Sequence, residues 1–219
     1  MLITRTPDER LTFLQALASR RKGSVGGGIP AAFTGYLITD GYTGYQHLLS
    51  RLAGIQQCAA HVIRRCRAVT KLSPGGAQNW AGDIITILRE AHAAVEDARA
   101  RDSTALDQQV LDNLRERYDT AVSSGIIHNR LRAWHEGNHP GYSLGCWLRE
   151  YKEQVFLFTR VFAVSWTNDM ASHCTSWGRC AVFVGVRWLG WLADVILAWG
   201  GDIFACSRAA GDAVGVAAA

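Results

Sequence analysis

A chain of 219 residues with a formal charge of +4 is long enough to bury a core of ordinary domain size, so length excludes neither one domain nor a domain with an appendage. A pI near 8.8 permits contact with a polyanion but is too mild to identify nucleic acid without a local patch of charge. Six cysteines, at 58, 66, 146, 174, 180 and 206 with no CxxC pair, argue against a disulfide-dense secreted scaffold and for a reduced cytosolic setting. The opening run Met1-Leu2-Ile3-Thr4-Arg5-Thr6-Pro7-Asp8-Glu9 lacks a long apolar stretch behind a basic start and does not read as a signal peptide.

In chain order, Leu2 to Thr6 and Leu11 to Ala18 flank the turn-like Pro7-Asp8-Glu9 and read as a hairpin, although Leu11, Leu14, Leu17 and Ala18 also fit helical spacing. Gly26-Gly27-Gly28-Ile29-Pro30 is a loop, because adjacent glycines carry too much backbone entropy for an element interior and proline restricts the residue before it. It has no GxxxxGK[ST] pattern and is no phosphate cradle. Gly35 to Asp40 then reads as a strand, Tyr45 to Ala53 as a helix with Leu48, Leu49 and Leu52 inward, and Ile55 to Ala59 as a second strand. Thr39-Asp40-Gly41-Tyr42 sets a carboxylate where the first of these strands breaks into a glycine turn, a usual station for a metal-binding acid.

From His61 to Leu72 the period is helical, and Arg64, Arg67 and Lys71 at i, i+3 and i+7 stack cations on one side with Arg65 at the margin. Such a face can grip phosphates, although amphipathic helices commonly present Arg and Lys to water. Two long helices follow, joined at Asp102-Ser103. The first carries Trp80, Ile84, Ile87, Leu88, Ala91 and Val95 on one stripe, and the second carries Leu106, Val110, Leu111, Leu114, Tyr118 and Val122, with Thr104 and Asp107 at capping-box spacing. They are expected to pack as an antiparallel pair, with Arg89, Glu90, Glu96, Arg115, Glu116 and Arg117 facing solvent. A further helix from Ser143 to about Phe158 aligns Leu144, Trp147, Leu148, Tyr151, Val155 and Phe158 as core.

Other constellations fall short of a site. Cys58 and His61 have CxxH spacing, but structural zinc needs four ligands and the other pair, His135 with His139, has no cysteine. As a nucleophile, Cys58 has only the cations of the following helix to lower its pKa. His92, His128, His135 and His173 stand singly and read as ordinary polar positions.

The run Gly35-Tyr36-Leu37-Ile38-Thr39-Asp40-Gly41-Tyr42-Thr43-Gly44-Tyr45, then Cys58-Ala59-Ala60-His61-Val62-Ile63-Arg64-Arg65, then Trp147-Leu148-Arg149-Glu150-Tyr151 and Phe162-Ala163-Val164-Ser165-Trp166-Thr167-Asn168-Asp169-Met170-Ala171 resembles the transposases of the insertion-sequence sixty-six family. The motifs occur in the family's order over about residues 1 to 171. This resemblance implies an α/β fold with an RNase H-like core whose three acids, of the Asp-Asp-Glu type, hold two Mg²⁺ ions. One ion would activate the attacking oxygen and the other would stabilise the leaving oxygen. It makes Asp40 the second acid and metal ligand, and Arg64, Arg65, Arg67 and Lys71 the DNA contacts. It also divides the chain into a partial core (1–76), a helical insertion (77–133) and a return to the core (134–171). The implied substrate is the element's own terminal DNA, nicked and joined to target DNA in the bacterial cytoplasm.

The sequence departs from that pattern in two places. The first acid is expected on a strand before the Leu2 to Thr6 hairpin, where Met1 already opens the sequence. Where a Glu-Arg pair is expected after Asn168-Asp169-Met170-Ala171, the chain has Ser172-His173. Beyond Asn168 there is no lysine, and Trp, Ala, Gly, Val and Cys dominate. Residues 172–219 are therefore expected to be an irregular, out-of-frame tail. Val182 to Trp199 is apolar and near spanning length, but Arg187 and Asp194 interrupt it and weigh against a membrane anchor. Two functions follow: a truncated, frameshifted transposase that is inactive alone, or a DNA-binding or subunit-binding remnant that interferes with the intact transposase or associates with its own kind.

Overall fold

The computed structural model describes residues 33–72 and 78–168 in full, and four further strands as backbone. The chain is mixed α/β and mostly helical. Two compact units divide it: residues 1–56 with 167–219, and residues 57–166.

The first unit holds two small sheets. Strand β1 (Leu2–Arg5) pairs antiparallel with β2 (Thr12–Gln15), Leu2 opposite Gln15 and Arg5 opposite Thr12, as expected of a hairpin, while Pro7-Asp8-Glu9 lies outside the described residues. In the second sheet, β3 (Tyr36–Thr39) lies between β4 (Gly54–Gln57) and β5 (Phe183–Gly185). Strands β3 and β4 run parallel, an arrangement that requires a crossover rather than a tight turn. Strand β5 is antiparallel to β3, Leu37 facing Val184, and a short β6 (Phe204–Ala205) extends the first sheet beside β2. Two short strands thus fall in the segment expected to be irregular, the rest of which lies outside the described residues, as does the Gly26–Pro30 loop; of the Val182–Trp199 stretch only β5 is described.

The β3–β4 crossover corrects one expected element. Instead of a helix over Tyr45 to Ala53, a 3-10 helix spans Thr43–Leu48. Its i to i+3 bonding continues past its end, with Leu49 N donating to Gln46 O and Arg51 N to Leu48 O. The tighter turn rotates Leu49 outward to 44% exposure while Leu48 and Leu52 stay buried, so Leu49 is not a core residue. Phe33, Leu37, Tyr45, Leu48, Leu52 and Ile55 form the local core.

The second unit is helical. Helix α1 (Ala59–Thr70) buries Val62, Ile63, Cys66 and Val69. Helices α2 (Asn79–Ala100) and α3 (Gln108–Asn129) pack against each other. Their contacts run in opposite order, with Trp80 against Gly125 and Glu90 bonded to Arg117, so the pair is antiparallel as its period predicts. Thr104 does not build a capping box. Asp107 is itself the N-cap, its Oδ1 accepting from Gln109 N at 2.8 Å and Val110 N at 3.3 Å. The first turn of α3 consequently overhangs the core, and Val110 is 42% exposed while Leu114, Tyr118 and Val122 are buried.

The last helix differs most from its periodicity. It begins at Pro140, three residues earlier than Ser143, and divides into α4 (Pro140–Glu150), α5 (Lys152–Val155) and α6 (Leu157–Arg160). The early start has a local cause: Pro140 suits the first helical turn, and His139 Nδ1 accepts from Gly141 N at 3.0 Å. The breaks fall at Tyr151 and Phe156, whose backbones open to φ −101°, ψ 19° and φ −97°, ψ 8°. Leu144, Leu148, Val155 and Phe158 still face the core, and Tyr118 Oη donates to Leu148 O at 3.0 Å. Ion pairs from Lys152 to Asp119 and from Glu153 to Arg115 tie α5 to α3.

The cap at His139 makes stability depend on pH. Burial and the nearby Arg132 charge hold its imidazole below the usual 6.5, and protonating Nδ1 would remove the acceptor and set positive charge at a helix N-terminus. The unfolded chain binds this proton more readily, so the cap's contribution is complete above pH 6.5 and declines as pH falls through the lower folded value. Thermal unfolding at pH 5 and pH 7.5 should show a loss in acid that His139→Asn, which caps without titrating, reduces. An equal acid loss in that variant would contradict the assignment.

Candidate nucleic-acid interface and metal-binding acid

Asp40 follows the last residue of β3, at the carboxyl end of a strand with a parallel neighbour. Gly41 takes φ 88°, a conformation glycine adopts without strain, and Asp40 Oδ1 accepts from Tyr42 N at 3.2 Å. The carboxylate is half-buried beside an aromatic step in which Tyr42 meets Tyr45 edge-on at 5.7 Å. Among the described residues no group of three or more His, Cys, Asp or Glu side chains could hold a metal ion. A two-ion centre needs several convergent oxygen donors, and within the described residues Asp40 does not belong to such a set.

The four cations between Arg64 and Lys71, on α1 and just past it, divide into two kinds. Arg64, Arg67 and Lys71 are exposed along one side of α1 and just past its end. The run Ala59 to Leu72 contains no Asp or Glu, and among the described residues no carboxylate forms an ion pair with any of the three. Arg65 is placed differently. It is half-buried, with Cζ 4.2 Å from the ring centroid of Trp147 on α4, and burial lowers its pKa from the ordinary value. Neighbouring Cys66 is fully buried, and the loss of water pushes its thiol up to about 12, Arg65 only partly opposing the rise. Such a thiol is inert as a nucleophile. The Arg65 stack is a feature that spacing did not announce. The available signal was its place beside the buried row, three residues after Val62 and one before Cys66.

The other candidates have structural roles. Cys58 is buried at the N-cap of α1. His139 serves as a cap, His92 packs edge-on against Trp166 at 4.0 Å, His128 Nδ1 lies 2.9 Å from Ser124 O, and His135 lies on Trp134. His173 lies outside the described residues. The Phe162–Trp166 motif closes the helical unit: Trp166 also packs on Phe158, and its carbonyl accepts from Ala59 N at 2.8 Å. No described helix is long and apolar enough to cross a membrane.

A family model described as Transposase IS66 family matches residues 2–168. No curated protein and no solved structure matches this chain. The match spans the strand carrying Asp40, the cationic α1 and the helical pair, and ends at the buried Asn168. This chain belongs to the IS66 family of transposases, a DDE-type family that usually employs a divalent metal.

Proposed function

We propose that this chain is a transposase-derived protein that holds DNA through α1 and does not cleave it unaided. The observation carrying this reading is the exposed row of Arg64, Arg67 and Lys71, without a carboxylate partner among the described residues. Cations exposed to solvent in a row can displace the counterions of a phosphate backbone. The parallel β3–β4 pair with an acid at its carboxyl end supports an RNase H-like core, in which Asp40 is the second catalytic acid and a ligand for Mg²⁺. Strand cleavage and transfer at the element's ends is the ancestral activity.

Its loss in this chain follows from Ser172, which stands where the family pattern has glutamate. A serine hydroxyl is no substitute for a carboxylate in neutralising divalent charge. In this reading residues 1–76 are a partial core, 77–133 the helical insertion, 134–171 the return to the core, and 172–219 an out-of-frame tail. Translation of the coding DNA in the other frames after Ala171 tests the last assignment: a shifted Glu-Arg supports it, and its absence in both alternative frames rejects it. A chain that holds element ends without cutting them would also compete with an intact transposase.

DNA binding itself is read by titrating the full chain with labelled duplex DNA at several salt concentrations. The logarithm of the binding constant should fall linearly with the logarithm of salt, and salt-independent binding would reject the cationic interface.

A further inference from the structure

We propose that Arg65 acts on DNA binding through Trp147, as a positioning residue that sets the rotation of α1 about its axis, rather than as a phosphate contact. The inference rests on the DNA-binding reading of α1. A helix face of fixed composition presents different side chains when the helix rolls, since successive residues are about 100° apart. On α1 the buried row is Val62, Ile63, Cys66 and Val69, and the exposed cations are Arg64 and Arg67, followed by Lys71. Arg65 sits at the seam between the two rows.

Apolar side chains tolerate some roll because their contacts are non-directional. A guanidinium over an indole is more demanding, since the attraction requires the cation above the ring face. Trp147 is itself fixed: it packs on the helical core and lies 5.2 Å from the Tyr151 ring. The Arg65 guanidinium, 4.2 Å from that indole, therefore references the rotation of α1 to α4. Held in this way, Arg64, Arg67 and Lys71 point to solvent together, while the stacked charge is partly withdrawn from water.

A double-mutant cycle in the full chain tests the assignment, with a fluorescein-labelled duplex of mixed sequence as the probe. Arg65→Ala and Trp147→Leu should each weaken binding by about 3–10-fold without changing the salt slope, because the number of phosphates neutralised stays the same. The double variant should bind no worse than either single one, because both substitutions remove the same contact. A slope reduced by roughly one phosphate in Arg65→Ala, with losses that multiply in the double variant, would make Arg65 a direct contact and overturn the proposal.

Thermal unfolding of the same four proteins supplies a readout independent of DNA. The two substitutions should be non-additive there as well, and strict additivity would mean that the stack does not couple the helices. If binding is unaltered when Arg64, Arg67 and Lys71 become alanine, the DNA reading and the presenting role fall together. The unfolding cycle would then still report whether the stack exists.

Discussion

Trp80→Ala is expected to destabilise the helical unit by about 3–5 kcal/mol, the largest loss from any single substitution considered. The indole is buried at the start of α2, and its ring fills the space left by Gly125 on α3, where a Cβ would come within 2.4 Å of the ring. Its removal opens a cavity between two long helices, and neighbouring backbone cannot collapse into it without unpacking the pair. A polar loss adds to the apolar one. Trp80 Nε1 donates to Gln78 Oε1 at 2.6 Å, and Gln78 Nε2 donates to Asn129 Oδ1 at 2.6 Å while Asn129 Nδ2 returns a bond to Gln78 Oε1 at 3.0 Å. The two buried amides bond each other and Asn129 Nδ2 also donates to Gly125 O at 2.8 Å, so deleting the indole donor weakens a connected buried network.

The complementary substitution separates packing from helix propensity. Gly125→Ala favours helix by about 1 kcal/mol, yet it should destabilise, because overpacking against Trp80 costs roughly 1–3 kcal/mol. Chemical unfolding followed by circular dichroism measures both. A loss below about 1 kcal/mol for Trp80→Ala would mean that the α2–α3 junction is not packed as described.

The second large effect concerns DNA. Replacing Arg64, Arg67 and Lys71 together with alanine should lower the slope of log binding constant against log salt by roughly 2–3 and weaken binding by about 10–100-fold at moderate ionic strength. These side chains are exposed and face no carboxylate among the described residues, so the fold should lose little stability while the interface loses its charge. Circular dichroism distinguishes the two outcomes: a folded triple variant with diminished, less salt-sensitive binding is expected. An unchanged slope would place the DNA contacts elsewhere.

How far the sequence anticipated these features depended on which forces set them. The β1–β2 pairing and the α2–α3 pair were legible because both arise locally, the first between strands close in sequence and the second from a long 3.6-residue period. The breaks at Tyr151 and Phe156 were not, since Leu144, Leu148, Val155 and Phe158 hold an apolar stripe across them and periodicity does not register a locally opened backbone. The 3-10 form of Thr43–Leu48 was hidden for a related reason: a few tight turns shift which leucine faces inward without changing composition. Strand β5 pairs with β3 across a long stretch of chain, a contact that no local pattern encodes.

At the candidate site the legible part was the turn chemistry. Asp40-Gly41 announced a carboxylate at a strand end, and the structure places it there with an Asx-type bond to Tyr42 N. The spacing of Arg64, Arg67 and Lys71 likewise announced an outward row. Spacing alone put Arg65 at the margin of that row and could not show what lay beneath it. The stack on Trp147 joins residues 82 positions apart, and its existence follows from how α1 and α4 pack.

The most direct test of the proposal that this IS66-family chain binds DNA but does not cut it is an assay of the purified full chain on DNA carrying the element's ends, with Mg²⁺ and with Mn²⁺. Retarded but unbroken DNA with either metal is the predicted result. Metal-dependent nicking at those ends, abolished by Asp40→Asn, would contradict it.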